Sequence, residues 1–165
     1  MPARRSTVTE LREAIAAIPD PEVPVVTIED LGILRDVAAD EDTGHVVVTI
    51  TPTYSGCPAM AAISDYVAYI AARHGWQARI DTVLEPAWTT DWLSEKGREA
   101  LRRFGIAPPR RREGGVAVPL GRHTVACPHC GSTDTEELAH FGSTACKAMR
   151  RCRVCREPFD EFKEL

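Results

Sequence analysis

Six cysteines stand in 165 residues, five in the last third at positions 127, 130, 146, 152 and 155, and one alone at 57. Cys127-Pro-His-Cys130 and Cys152-Arg-Val-Cys155 are two C-x₂-C pairs separated by 21 residues. Each pair can fold into a tight knuckle whose thiolates aim at one centre, and two knuckles supply a tetrahedral S₄ shell. Gly131, directly after the first pair, suits the positive φ that such a turn needs. Zinc is the default occupant of four thiolates, and iron in the same set is the other option. A closed shell leaves no open coordination position, so the centre is expected to be structural. His129 and His140 are alternative ligands that four cysteines make unnecessary.

Cys57 sits where a β-branched run gives way to a helical pattern, after Gly56 and before Pro58. Proline suits the first helical position, which puts Cys57 at the N-cap. The free N–H groups and dipole there favour an anion, so a thiolate is expected to form more easily than in a free thiol. Two uses are open: nucleophile, or ligand for a metal or cluster. A nucleophile wants a histidine base, and His45 and His74 lie at the far ends of the neighbouring elements. Ligation is therefore favoured, and no catalytic residue is assigned. Asp20 and Glu22, on a proline-locked loop, are candidate acidic neighbours, and Thr53 is a candidate hydroxyl. For Asp20 and Thr53, turn and cap chemistry is the competing use. Cys146 is not needed for the S₄ shell. It is either a buried small hydrophobe or a second thiol ligand brought near Cys57, with Lys147 favouring its thiolate.

These residues must be positioned by a short series of elements. Val8, Leu11, Ile15 and Ile18 have near-helical spacing and end at Pro19-Asp20-Pro21. Strands are predicted over about 33–37, 46–51 and 77–84, with a helix over about 59–74 closed by Gly75. A last helix is predicted from Ser94 to Phe104. The order α-β-β-α-β-α over residues 1–106 predicts an α+β domain: a small three-stranded mixed sheet with packed helices. Residues 107–121 hold Pro108-Pro109, an arginine run and Gly114-Gly115, and read as a linker. Residues 122–165 form a separate unit, a small Cys₄ zinc-ribbon domain, which would hardly fold without its clamp. In Glu85-Pro86-Ala87-Trp88-Thr89-Thr90-Asp91-Trp92, the tryptophans either pack over the sheet end or anchor a protein partner.

Twenty Lys and Arg against twenty-four Asp and Glu give a net charge of −4. Residues 122–165 hold seven of each sign. A basic footprint is absent apart from Arg150-Arg151-Cys152-Arg153, so protein docking is expected and nucleic acid is not. With 44% hydrophobic residues the chain can form a core. No window approaches a membrane span or a signal peptide, so a cytoplasmic location without membrane association is expected. In a reducing compartment the cysteine clustering argues for metal over disulfides.

Asp20-Pro21-Glu22, Asp30-Leu31-Gly32-Ile33 and Thr53 with Cys57-Pro58 resemble the SufT-like family of iron–sulfur assembly factors over about residues 8–85. Pro52-Thr-Tyr-Ser-Gly-Cys57-Pro, Pro86-Ala-Trp-Thr-Thr-Asp-Trp92, Phe141-Gly-Ser-Thr-Ala-Cys146-Lys-Ala and Glu157-Pro-Phe-Asp160 are more specific. With the terminal CxxC pairs they resemble the PaaD (PaaJ) family, accessory subunits of the phenylacetyl-CoA 1,2-epoxidase system. The resemblance implies a non-enzymatic maturation factor in phenylacetate degradation that assists iron–sulfur cluster assembly or transfer to the reductase component. The reactive cysteine of the family maps onto Cys57 and its acidic loop onto Asp20 and Glu22. Its ribbon ligands map onto Cys127, Cys130, Cys152 and Cys155. A labile cluster on Cys57, helped by Cys146 or by a second subunit in a homodimer, is one expectation. An integral adaptor subunit of the oxygenase, with no cluster of its own, is the other.

Overall fold

The computed structural model describes residues 5–111 and 124–164. By their internal contacts these form two compact units, one ending at Trp88 and the other beginning at Thr89.

In the first unit, α1 (Val8–Ala16) opens with a reciprocal cap. The Thr7 hydroxyl accepts the Glu10 N–H at 3.2 Å, and the Glu10 carboxylate accepts the Thr7 N–H at 2.8 Å. The prolines after α1 divert the chain into a loop closed by the Asp20 N–H on the Val26 carbonyl at 2.9 Å. Strands β1 (Leu34–Asp40) and β2 (His45–Ile50) pair antiparallel. Helix α2 (Ala59–Arg73) then carries the chain to β3 (Gln77–Thr82), which lies parallel to β2. The sheet order is β1-β2-β3, the expected small mixed sheet. Val46, Val48 and Ile50 alternate into the core of this unit. Ala59, Ile63, Val67 and Ala71 line one side of α2 at every fourth position and are buried there. Trp88 is buried, and its indole N–H donates to the Leu31 carbonyl at 2.8 Å. Of the two uses read for it, packing is the one the fold makes.

In the second unit a 3₁₀ turn (Thr90–Trp92) leads to α3 (Glu95–Arg103), capped by Ser94 on the Gly97 N–H at 2.9 Å. Strands β4 (Ile106–Ala107), β5 (Thr135–Ala139), β6 (Lys147–Cys152) and β7 (Pro158–Phe162) form a sheet in the order β4-β7-β6-β5.

The boundary expected at residue 106 falls inside the second of these compact units. Ile106 and Ala107 pair parallel with Asp160 and Glu161 of β7 and are buried, so α3 and β4 belong with the ribbon. A two-residue strand has no periodicity to reveal it. Beyond it, the buried Arg98 guanidinium donates to the Thr90 carbonyl at 2.8 Å and to the Pro109 carbonyl, tying down the start of the expected linker. Residues 112–123 lie outside the described residues. Among the described residues, no helix is long and apolar enough to cross a membrane.

Candidate metal centre and the Cys57 loop

The two C-x₂-C pairs of the second unit converge. The Sγ atoms of Cys127, Cys130, Cys152 and Cys155 all lie within 4.8 Å of one another. Across the knuckles, Cys127 and Cys155 are 3.7 Å apart and Cys130 and Cys152 are 3.5 Å apart. A tetrahedron with metal–sulfur bonds of about 2.3 Å has edges of about 3.8 Å, so the sulfurs already stand at ligand spacing. Both knuckles have one backbone pattern. The Cys127 N–H donates to the Ser132 carbonyl at 2.9 Å, and the Cys152 N–H donates to the Glu157 carbonyl at 3.0 Å. Gly131 has φ 76° at the turn of the first, and Arg156 has φ 67° at the same place in the second.

The electrostatics show what four close sulfurs demand. Cys152 is drawn down toward ionisation, first by the Cys155 backbone N–H and then, against burial, by that of Val154. At Cys155 the Glu157 N–H also favours the thiolate, but burial and the three neighbouring sulfurs outweigh it and push that thiol up. Cys152 thus ionises more readily than Cys155, and a cation bound among the sulfurs would offset the repulsion that holds Cys155 back. Buried Val125, Ala107 and Phe159 pack with Cys127 and Cys152. Among the described residues the cluster holds the four cysteines alone. His129 lies against Gly105, and His140 lies 3.5 Å from Glu137. The Arg150-Arg151-Arg153 run is engaged internally: Arg150 on Glu161, and Arg151 and Arg153 on Glu136. The four cysteines are a group that could hold a metal ion.

In the first unit Cys57 is half-buried and precedes α2, whose cap position is Pro58. A turn closed by the Cys57 N–H on the Tyr54 carbonyl at 3.1 Å presents it. Burial is the main influence on the thiol and pushes it up. The Ala59 backbone N–H and the Thr53 hydroxyl pull the other way, while the carboxylates of Glu22 and Asp20 push it further up. The net direction is upward, opposite to the expectation from the helix end alone. Desolvation and two nearby anions outweigh a single turn of free N–H groups. The structure thus brings Asp20, Glu22 and Thr53 within electrostatic or hydrogen-bonding reach of Cys57. Asp20 also has its turn use, accepting the Glu22 and Val23 N–H groups at 2.9 and 2.8 Å.

Cys146 is buried just before β6, with its Sγ 3.1 Å from the Thr144 Oγ1. Two participants escaped the sequence reading. One is the Ala59 backbone N–H, which no side-chain pattern signals. The other is Arg156, which only the alignment of one knuckle on the other, Cys130-Gly131 against Cys155-Arg156, could have flagged.

The chain is thus a small α+β unit followed by a four-cysteine ribbon, and both parts match known families. Residues 9–80 match a family model described as iron–sulfur cluster assembly protein, and residues 113–163 match one described as PaaD zinc beta ribbon domain. The chain belongs to the PaaD family. It is 43% identical over 157 residues to an Escherichia coli protein named as a 1,2-phenylacetyl-CoA epoxidase subunit, covering 94% of this chain and 92% of that one. It is also 34% identical over 102 residues to an Fe-S protein maturation auxiliary factor of Porphyromonas gingivalis, covering 61% of this chain and 92% of the other. Among solved structures it is similar to a Domain of Unknown Function, DUF59, from Bacillus anthracis. There the TM-score is 0.52 and the identity 30%, over 56% of this chain and 89% of that one.

Proposed function

We propose that this protein is a non-enzymatic maturation factor of a phenylacetyl-CoA epoxidase system. It receives iron or an iron–sulfur cluster as cargo on Cys57 and passes it to the iron–sulfur reductase component. The observation that carries this reading is the arrangement around Cys57: a half-exposed thiol at a helix start, with the Thr53 hydroxyl and the Ala59 N–H favouring its thiolate and Glu22 and Asp20 within electrostatic reach. Nearby carboxylates that keep a free thiol protonated oppose nucleophilic use. The same carboxylates attract a cation, and a cation displaces the thiol proton. With its few local donors Cys57 cannot enclose its cargo, so the remaining ligands come from outside, as labile transfer requires. The ribbon sulfurs would hold zinc in a closed shell with no open position, which makes that centre structural. The names of its relatives support both halves, a subunit of the epoxidase and a maturation factor.

The test is metal and sulfide analysis with absorption spectra on anaerobically purified wild type and Cys57→Ser, followed by loading of the apo-reductase. One zinc per chain is expected in both, with iron and loading activity in wild type alone. Equal loading by Cys57→Ser would overturn the carrier role. A stable stoichiometric complex with the oxygenase, combined with zinc alone in both proteins, would favour the adaptor reading instead.

A further inference from the structure

The face of α2 turned away from the core carries an aromatic stripe. Ala62, Asp65, Tyr66, Tyr69 and Arg73 recur at i, i+3, i+4, i+7 and i+11, the spacing of one helical face. Tyr66 and Tyr69 are 52% and 55% exposed and, with Ala62 and Asp65, line a groove of about 430 Å³. Arg73 donates to the Tyr69 hydroxyl at 3.0 Å and its guanidinium stands over the Tyr69 ring. Two tyrosines and a stacked arginine are the side chains that anchor protein contacts.

The charges on this stripe complement one another when the helix meets a copy of itself in reverse. Asp65 and Arg73 each lie four residues from Tyr69, on opposite sides. A two-fold axis at Tyr69 therefore sets Asp65 against the partner's Arg73 and Arg73 against the partner's Asp65. The same axis stacks Tyr69 on its counterpart and sets Tyr66 over the partner's Ala72, an exposed small residue. Within one helix Asp65 and Arg73 are roughly 12 Å apart along the axis and cannot pair. A parallel arrangement would juxtapose like charges.

We infer that α2 is a homodimer contact, in which two copies pack this face antiparallel about Tyr69. One helix face buries an area at the low end of specific interfaces, about 1,000 Å² in total, so the association is weak and reversible. Cys57 lies twelve residues before Tyr69, which sets the two Cys57 positions roughly 35 Å apart at opposite ends of the pair. Each copy keeps its own thiol open, and this dimer does not share a cluster. The contact stands independently of the carrier role proposed for Cys57.

Sedimentation equilibrium of the full chain tests it. The average mass should rise with concentration from 18.1 kDa toward twice that value. Asp65→Arg and Arg73→Asp should each weaken association at least about tenfold, because symmetry creates two like-charge contacts per substitution. The double variant should recover to within about threefold of wild type, and Tyr69→Ala should be monomeric with an unchanged circular dichroism spectrum. A wild type that stays monomeric up to about 1 mM overturns the proposal. So does a dimer indifferent to the single substitutions, or a double variant no better than the singles.

Discussion

Gly131 and Arg156 occupy equivalent places in the two knuckles, each directly after the second cysteine and each in the left-handed region, at φ 76° and 67°. A Cβ at Gly131 would meet open space, so its substitution costs conformational energy alone. Gly131→Ala should lower the stability of the metal-loaded second unit by about 1 kcal/mol. Arg156→Gly removes a similar strain but loosens the unfolded chain, so it should change stability by less than about 0.5 kcal/mol. Urea unfolding of the metal-loaded protein checks both. A larger loss from Arg156→Gly than from Gly131→Ala would break the equivalence.

The Cys57 thiol titrates above its ordinary 9.0, burial being the main cause. Alkylation, which follows the thiolate fraction, should be slow at pH 7 and still rising above pH 9. Glu22→Gln removes one upward influence and should speed the reaction about two- to fivefold near pH 8, whereas Thr53→Val removes a downward one and should slow it. The linked stability has a definite sign. A thiol raised on folding contributes fully below its unfolded value and less as pH climbs through the folded one. The alkaline limb of the stability curve should therefore flatten in Cys57→Ser. Identical alkylation profiles for wild type and Glu22→Gln would remove Glu22 from the site.

Arg150 and Glu161 form a buried pair in the ribbon sheet, 2.9 Å apart with both side chains 6% exposed. Among the described residues Glu161→Ala leaves the guanidinium with Glu137 at 3.7 Å as its acidic neighbour, and it should cost about 3 kcal/mol. Replacing both partners, as Arg150→Met with Glu161→Leu, should recover most of that. Denaturant unfolding of wild type, Arg150→Met, Glu161→Leu and the double variant forms a double-mutant cycle, with Glu161→Ala measured beside it. A single-variant loss below about 0.5 kcal/mol would mean that the pair is solvated in solution.

The first unit was legible because its signals were periodic. Val46-Val47-Val48-Thr49-Ile50 is a strand by composition, and Ala59, Ile63, Val67 and Ala71 mark a helix by spacing. The four ribbon cysteines declared themselves by pairing, and Asp20, Glu22 and Thr53 by their loops. What escaped depended on neighbours distant in sequence. Ile106 and Ala107 become a strand only because Asp160 and Glu161 lie beside them. The direction of the Cys57 shift depended on burial and on a loop more than thirty residues upstream, which the helix-end argument could not weigh.

The short strand β4 also moves the seam along which the chain is modular. A cassette exchanged between proteins at residue 107 would leave β7 with an open edge and strip the ribbon of the helix that precedes it. One exchanged between Trp88 and Thr89 would carry the whole second sheet intact. Genetic fusion and trimming of such proteins should therefore tolerate breaks at that upstream seam and resist them at the proline-rich segment that looks like the natural joint.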